Sequence, residues 1–161
     1  EDGKVIYNQS FGGARFEVGG DHPRKIYGTD LRSDAAGAYQ FLSTSWDSRK
    51  KLLGVGKFTP KNQDLAALAT IRNRGVDPTK PITREAIAKL SPEWASLPTL
   101  SGNSYYGQPV KNMNQLMGFY NSKPPIKGIN LIKGGTQEKL TIPTITKTEQ
   151  DPLTKLLKIF Q

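Results

Sequence analysis

A tyrosine and a glutamine stand side by side at Tyr39-Gln40, after the small-residue run Ser33-Asp34-Ala35-Ala36-Gly37-Ala38 and ahead of Phe41-Leu42. Gly and Ala let a backbone or a flat ligand come close, and a Gln amide both donates and accepts toward hydroxyl and N-acetyl groups. An aromatic ring beside a neutral amide therefore suits a groove that grips a sugar chain. An ordinary helix start also carries a Gly, an aromatic and a Gln, so the segment alone leaves both readings open. A second grouping of the same kind lies in the polar, Gly-punctuated stretch from Leu97 to Gln108, with Tyr105, Tyr106 and Gln108 close together. It reads either as a second lip of such a groove or as a surface connection.

The elements that must position these groups follow from punctuation and spacing. From Val5 to about Tyr27 the chain is turn-rich, and Gly12-Gly13 and Gly19-Gly20 flank Ala14-Arg15-Phe16-Glu17-Val18, which reads as a small β-hairpin or a pair of extended loops. Tyr39, Leu42, Trp46 and Leu53 recur at helical spacing up to a stop at Gly54, with Trp46 expected in the core. A second helix runs from the cap Thr59, with Pro60 at its first position, to Gly75, turning Leu65, Leu68 and Ile71 inward. A third starts at Thr83, where Ile82 and Ile87 have hydrophobic-staple spacing, and Ser91-Pro92 opens a turn carrying Trp94. A fourth covers about Val110 to Tyr120, with Met113, Leu116, Met117 and Tyr120 on one side. At Asn121-Ser122-Lys123-Pro124-Pro125 the composition changes to a stiff linker. The expected organisation is thus α+β. A mostly helical domain with a small β-hairpin lobe occupies residues 1–121, and a linker with an extended C-terminal docking arm occupies residues 122–161.

Composition narrows the chemistry. The chain has 161 residues, no Cys and one histidine, His22, which excludes a thiolate nucleophile, a disulfide frame and a multi-histidine metal site; no metal and no cofactor is expected. His22 sits in the rigid corner Asp21-His22-Pro23-Arg24, where Pro23 pushes it extended, and a hydrogen-bonded loop role is expected for it. A net charge of +9 asks for an anionic partner. Residues 1–122 carry 16 Lys+Arg against 11 Asp+Glu and residues 123–161 carry 7 against 3, so no long block of one sign marks a nucleic-acid surface, and none is expected. The densest run, Arg49-Lys50-Lys51, closes a helix, where cations complement the dipole. No apolar run approaches the ~18 residues of a membrane span. The first residues, Glu1-Asp2-Gly3-Lys4, show no signal-peptide pattern.

Five blocks in order carry a family resemblance. They are Asp21-His22-Pro23-Arg24-Lys25; Ala36-Gly37-Ala38-Tyr39-Gln40-Phe41-Leu42 with Trp46-Asp47; Thr59-Pro60-Lys61-Asn62-Gln63-Asp64-Leu65-Ala66-Ala67-Leu68 with Arg74-Gly75; Trp94-Ala95-Ser96-Leu97-Pro98; and Tyr106-Gly107-Gln108. Over roughly Tyr7 to Tyr120 the chain resembles the lambda-type phage endolysins. The resemblance implies a lysozyme-like fold and peptidoglycan glycan strands as the partner. It also implies lytic transglycosylase chemistry with one Glu as acid and base. That Glu ends a first helix in the family, and Glu1 alone occupies its region here, with Asp2 where the family has Gly and the helix missing. Glu1 is the expected catalytic residue, with Tyr39, Gln40, Tyr105, Tyr106 and Gln108 expected to line the sugar groove. Glu17 and Asp21 are the next carboxylates, with structural roles expected for both. A different class of function stays open beside this one. It is a lysozyme-like structural or wall-binding part of a phage tail or baseplate, docked to a phage structural protein through residues 123–161. The expected location is accordingly the phage particle or the host periplasm and cell wall.

Overall fold

A computed structural model describes residues 5–121. Four α-helices lie within them: α1 (Ser43–Leu53), α2 (Pro60–Asn73), α3 (Arg84–Leu90) and α4 (Met113–Asn121). The chain divides into two compact units, with the boundary inside α2 between Ala69 and Thr70. Glu1 and the arm expected at 122–161 lie outside the described residues.

In the first unit, the small-residue run does not begin a helix. Ala36 and Phe41 exchange backbone hydrogen bonds at 3.0 and 2.9 Å, closing residues 37–40 into a tight turn. Gln40 completes that turn in the left-handed region at φ 49°. Helix α1 therefore starts only at Ser43, whose N–H meets the Asp34 carboxylate at 3.4 Å in place of a local cap. Trp46 is buried as the spacing requires, but Leu42 is 46% exposed because it precedes the helix and faces away from the core. The expected β-hairpin is not formed either. Gly12 and Gly13 at φ 78° and 96° wind Phe11–Gly13 into one 3-10 turn. Only isolated pairings remain, Gln9 with Arg15 and Ser10 with Ala36, because the 8–11 stretch divides its backbone bonds between residues 14–16 and the 35–37 segment.

Phe58 is the centre of the aromatic packing. The rings of Trp46, His22 and Phe16 approach it at 4.8, 5.0 and 6.0 Å. Beside it lies Gln63, fully buried near the start of α2, whose cap forms as expected: Thr59 Oγ1 accepts from the Asn62 N–H at 3.3 Å. The Gln63 amide accepts from Ala38 N–H at 3.0 Å and donates to the carbonyls of Tyr7 and Phe58 at 3.1 Å each.

The second unit buries Ile71, Val76, Ile87, Leu90, Trp94 and Leu97. Thr83 caps α3 by accepting from Ala86 N–H at 3.1 Å. Helix α4 begins at Met113, three residues later than expected, because Asn112 is its cap and accepts from the N–H groups of Asn114 and Gln115. Met113 and Leu116 are buried on the expected face.

A Cβ at Gly37 would lie 2.2 Å from Gln63 Oε1 and 2.8 Å from Phe58 Cζ, and its φ is +81°. Gly37→Ala is accordingly expected to destabilise the protein by about 3 kcal/mol, from positive-φ strain and displacement of the buried amide. Urea unfolding followed by tryptophan fluorescence measures this.

Candidate functional site

The turn at 37–40 sets the character of the first unit's candidate residues. Tyr39 is 0% exposed, its ring 5.7 Å from that of Phe41 and its hydroxyl donating to Asp64 Oδ1 at 2.8 Å. Its ring offers no surface to a sugar; packing of the turn against α2 places it inside. Gln40 is half-buried, and its amide nitrogen donates to the carbonyls of Gln9 and Gly37 at 3.1 and 2.9 Å. Both N–H groups are thus spent on the backbone, which explains how a non-glycine residue holds the left-handed conformation here. The Tyr39 ring is thus enclosed, and the Gln40 amide nitrogen is committed to the turn it completes.

Three further residues belong to this cluster and were not singled out from the sequence. They are Tyr7, Gln63 and Asp64, with Tyr7 Oη donating to the same Asp64 oxygen at 2.8 Å. The available signal was the run Asn62-Gln63-Asp64 directly after Thr59-Pro60, polar residues in the first turns of a helix that is otherwise rich in Ala and Leu.

The second unit presents two of its tyrosines outward. Tyr105 and Tyr106 are 57% and 59% exposed and meet edge to face at 5.0 Å. Their loop is built to hold them there. Lys111 N–H bonds to Ser96 O at 2.9 Å across its ends, and Thr99 N–H bonds to Asn103 O at 2.8 Å. Ser104 Oγ accepts from Tyr106 and Gln108 N–H at 3.0 and 3.1 Å, and Tyr106 Oη donates to Pro92 O at 2.6 Å. Exposed paired rings on a braced loop offer flat apolar faces for stacking, and the half-buried Gln108 beside them brings an amide.

The carboxylates have other tasks. Asp21 accepts from Trp46 Nε1, His22 N–H and Lys50 Nζ, each at 2.8 Å. Its burial favours the neutral acid, but the Lys50, Trp46 and His22 bonds outweigh it and hold the carboxyl well below the usual range. Asp47 is lowered by the Arg24 guanidinium, Asp77 by Thr79, and Glu85 by its own backbone N–H and by Thr83. A general acid needs displacement upward, so none of these four suits that role. Glu17 is exposed. Among the described residues no group of three or more His, Cys, Asp or Glu could hold a metal ion.

Comparisons place this geometry among known proteins. A family described as Endolysin matches residues 2–124. The endolysin of Escherichia phage lambda is 42% identical over 106 residues, which cover 63% of this chain and 65% of that protein. The endolysin of Escherichia phage P2 is 34% identical over 98 residues, covering 59% and 57%. The chain thus spans less than two thirds of the length of either curated relative. Among solved structures, bacteriophage lambda lysozyme complexed with a chitohexasaccharide matches with a TM-score of 0.64 at 38% identity, over 72% of this chain and 75% of that one. A second lambda lysozyme structure matches at 0.62 and 35% over the same shares. The fold is lysozyme-like, and the relatives are described as endolysins and lysozymes rather than as tail or baseplate parts.

The histidine corner behind the turn makes stability depend on pH. His22 is 3% exposed; its Nδ1 accepts from Arg24 N–H at 3.1 Å, which leaves Nε2–H to donate to Phe41 O at 2.8 Å. Burial, opposed by the Phe41 bond, lowers its pKa from 6.5. The unfolded chain therefore binds this proton at higher pH than the folded one. The stability contributed by neutral His22 is present above pH ~6.5 and is lost as pH falls through that value toward the folded pKa. Asp21 adds a second loss beginning near pH ~4, as pH falls toward its depressed folded value. Urea midpoints measured from pH 8 to 3 are expected to fall in these two stages, and His22→Gln should remove the first.

Proposed function

The chain belongs to the endolysin family, and on that premise we propose that it cleaves the glycan strands of peptidoglycan in a bacterial host wall. The likeness to a solved lambda lysozyme that holds a chitohexasaccharide, a β-1,4 chain of N-acetylated sugars, carries this reading. The reaction proposed is that of a lytic transglycosylase at the β-1,4 bond after N-acetylmuramic acid. Glu1 protonates the leaving glycosidic oxygen as the bond to C1 breaks. The muramyl C6 hydroxyl then attacks C1 and yields its proton to the Glu1 carboxylate, leaving a 1,6-anhydro end and the acid restored. One carboxylate suffices, unlike the paired scheme of most glycosidases. That economy fits a described chain whose displaced carboxylates are all displaced downward.

Tyr105 and Tyr106 supply stacking faces for the sugar chain, and Gln108 an amide for its N-acetyl groups. Gln40 and Tyr39 keep the 37–40 turn in shape. The net charge of +9 draws the protein toward an anionic wall. Host periplasm and cell wall are therefore the proposed place of action.

Purified walls should clear in a turbidity assay and release anhydro-muramyl ends, and Glu1→Gln should slow clearing by about 10²- to 10⁴-fold. Reducing muramyl ends would mark a hydrolytic muramidase instead, and no clearing by the intact protein would overturn the reading. Tyr105→Ala should raise KM about tenfold, near 1.4 kcal/mol of lost binding, with kcat unchanged in steady-state assays on soluble glycan fragments.

A further inference from the structure

Beyond the pairing of Pro98 with Ser104, the loop that carries Tyr105 and Tyr106 leaves regular backbone bonding. Among the described residues no backbone-to-backbone hydrogen bond reaches residues 106–110, and the next along the chain is Lys111 N–H to Ser96 O. One side-chain oxygen takes over there. Ser104 Oγ accepts from the Tyr106 N–H at 3.0 Å and from the Gln108 N–H at 3.1 Å, which engages both of its lone pairs. Gly107, at φ 81° with open space where a Cβ would stand, supplies the left-handed step that turns both N–H groups back to one atom.

The two residues held this way offer different things. Tyr106 has its hydroxyl fixed on Pro92 O at 2.6 Å while 59% of its surface stays exposed, so its ring is a plane with little freedom to swing. The Gln108 side-chain amide makes no hydrogen bond with a described residue, whereas the amide nitrogens of Gln40 and Gln63 are spent on backbone carbonyls. Pro92 fixes the tip of the Tyr106 ring without reaching Gln108. The shared Ser104 oxygen is what ties one to the other.

We propose that Ser104 is a positioning residue for glycan binding: by holding residues 106 and 108 on one oxygen, it sets the offset between a stacking ring and an uncommitted amide, and that offset selects sugars bearing an N-acetyl group. This role rests on the groove function proposed for Tyr105, Tyr106 and Gln108. A pyranose stacked on Tyr106 carries its acetamido group at a fixed distance from the stacked face, where an amide donates to the carbonyl oxygen and accepts from the N–H. A glucose unit has a hydroxyl in that place and leaves the Gln108 amide partly unsatisfied.

Calorimetric titration of the full chain with two neutral β-1,4 hexasaccharides, one of N-acetylglucosamine and one of glucose, tests this. The wild-type protein is expected to prefer the N-acetylated chain. In Ser104→Ala the Kd for that chain should rise about tenfold, near 1.4 kcal/mol, with binding of the glucose chain unchanged. Ser104→Thr, which keeps the accepting oxygen, should retain most of the preference. Gln108→Ala should lose as much as Ser104→Ala, and the two together little more, because both act on one contact. Circular dichroism and urea midpoints establish that each variant is folded. Wild-type affinity for the N-acetylated chain in folded Ser104→Ala would overturn the positioning role, as would equal weakening toward both sugars or no preference in the wild-type protein. Weakened binding by Tyr105→Ala in that case would leave the groove reading standing. Wild-type binding by Tyr105→Ala and Gln108→Ala alike would overturn both.

Discussion

The side-chain amide of Gln63 is the constraint on which the first unit depends. It reaches three separate stretches of chain at once: the backbone of Tyr7, of Ala38 and of Phe58. A buried peptide group left without a partner costs about 1–3 kcal/mol, so losing this amide would expose three such deficits together. The same amide explains why the turn at 37 must be glycine, since its Oε1 occupies the space where a Cβ would stand. Asp64, the next residue, collects the hydroxyls of Tyr7 and Tyr39, so two adjacent polar positions of α2 organise most of what surrounds them.

Burial divides the tyrosines of this chain by role. Tyr39 is enclosed and hydrogen-bonded, which makes it a structural member of the turn, while Tyr105 and Tyr106 project from a loop braced by Ser104, Pro92 and the Ser96–Lys111 bond. A ring must lose water on at least one face to stack, and Tyr105 and Tyr106, unlike Tyr39, have exposed faces to give up. The acidic groups are divided in a similar way. Asp21 and Asp47 serve Lys50 and Arg24, and Asp34 supports the start of α1. Asp21 and Asp47, held in the charged form by these cations, are poor proton donors.

The corner Asp21-His22-Pro23-Arg24 links these features. His22 reads as a hydrogen-bonded loop residue from its neighbours, and it is one, but its partners lie on both sides of the turn it supports. Through Phe41 O it steadies the bridged pair that closes residues 37–40, and through its ring it packs on Phe58. Asp21 extends the same corner to Trp46 and Lys50 on α1. Charge, hydrogen bonding and aromatic packing thus meet at one short segment.

Helix existence and several helix ends were legible in the sequence. Thr59-Pro60, Thr83 and Gly54 act within four residues of themselves, so cap chemistry read from neighbours matches what forms. Trp46 and the inward face of α2 followed from a 3.6-residue period for the same local reason. Tertiary structure decided the rest. Whether Gly37 to Gln40 would continue into a helix or close a turn depended on Gln9, Phe41 and Gln63, which are distant in sequence or hidden by ordinary helical composition. Whether residues 8–18 would pair as strands depended on the competing 35–37 backbone. Tyr39 and Tyr105 are the same residue type in similar small-residue company. Only long-range burial, which no local pattern encodes, made one a buttress and the other an exposed face.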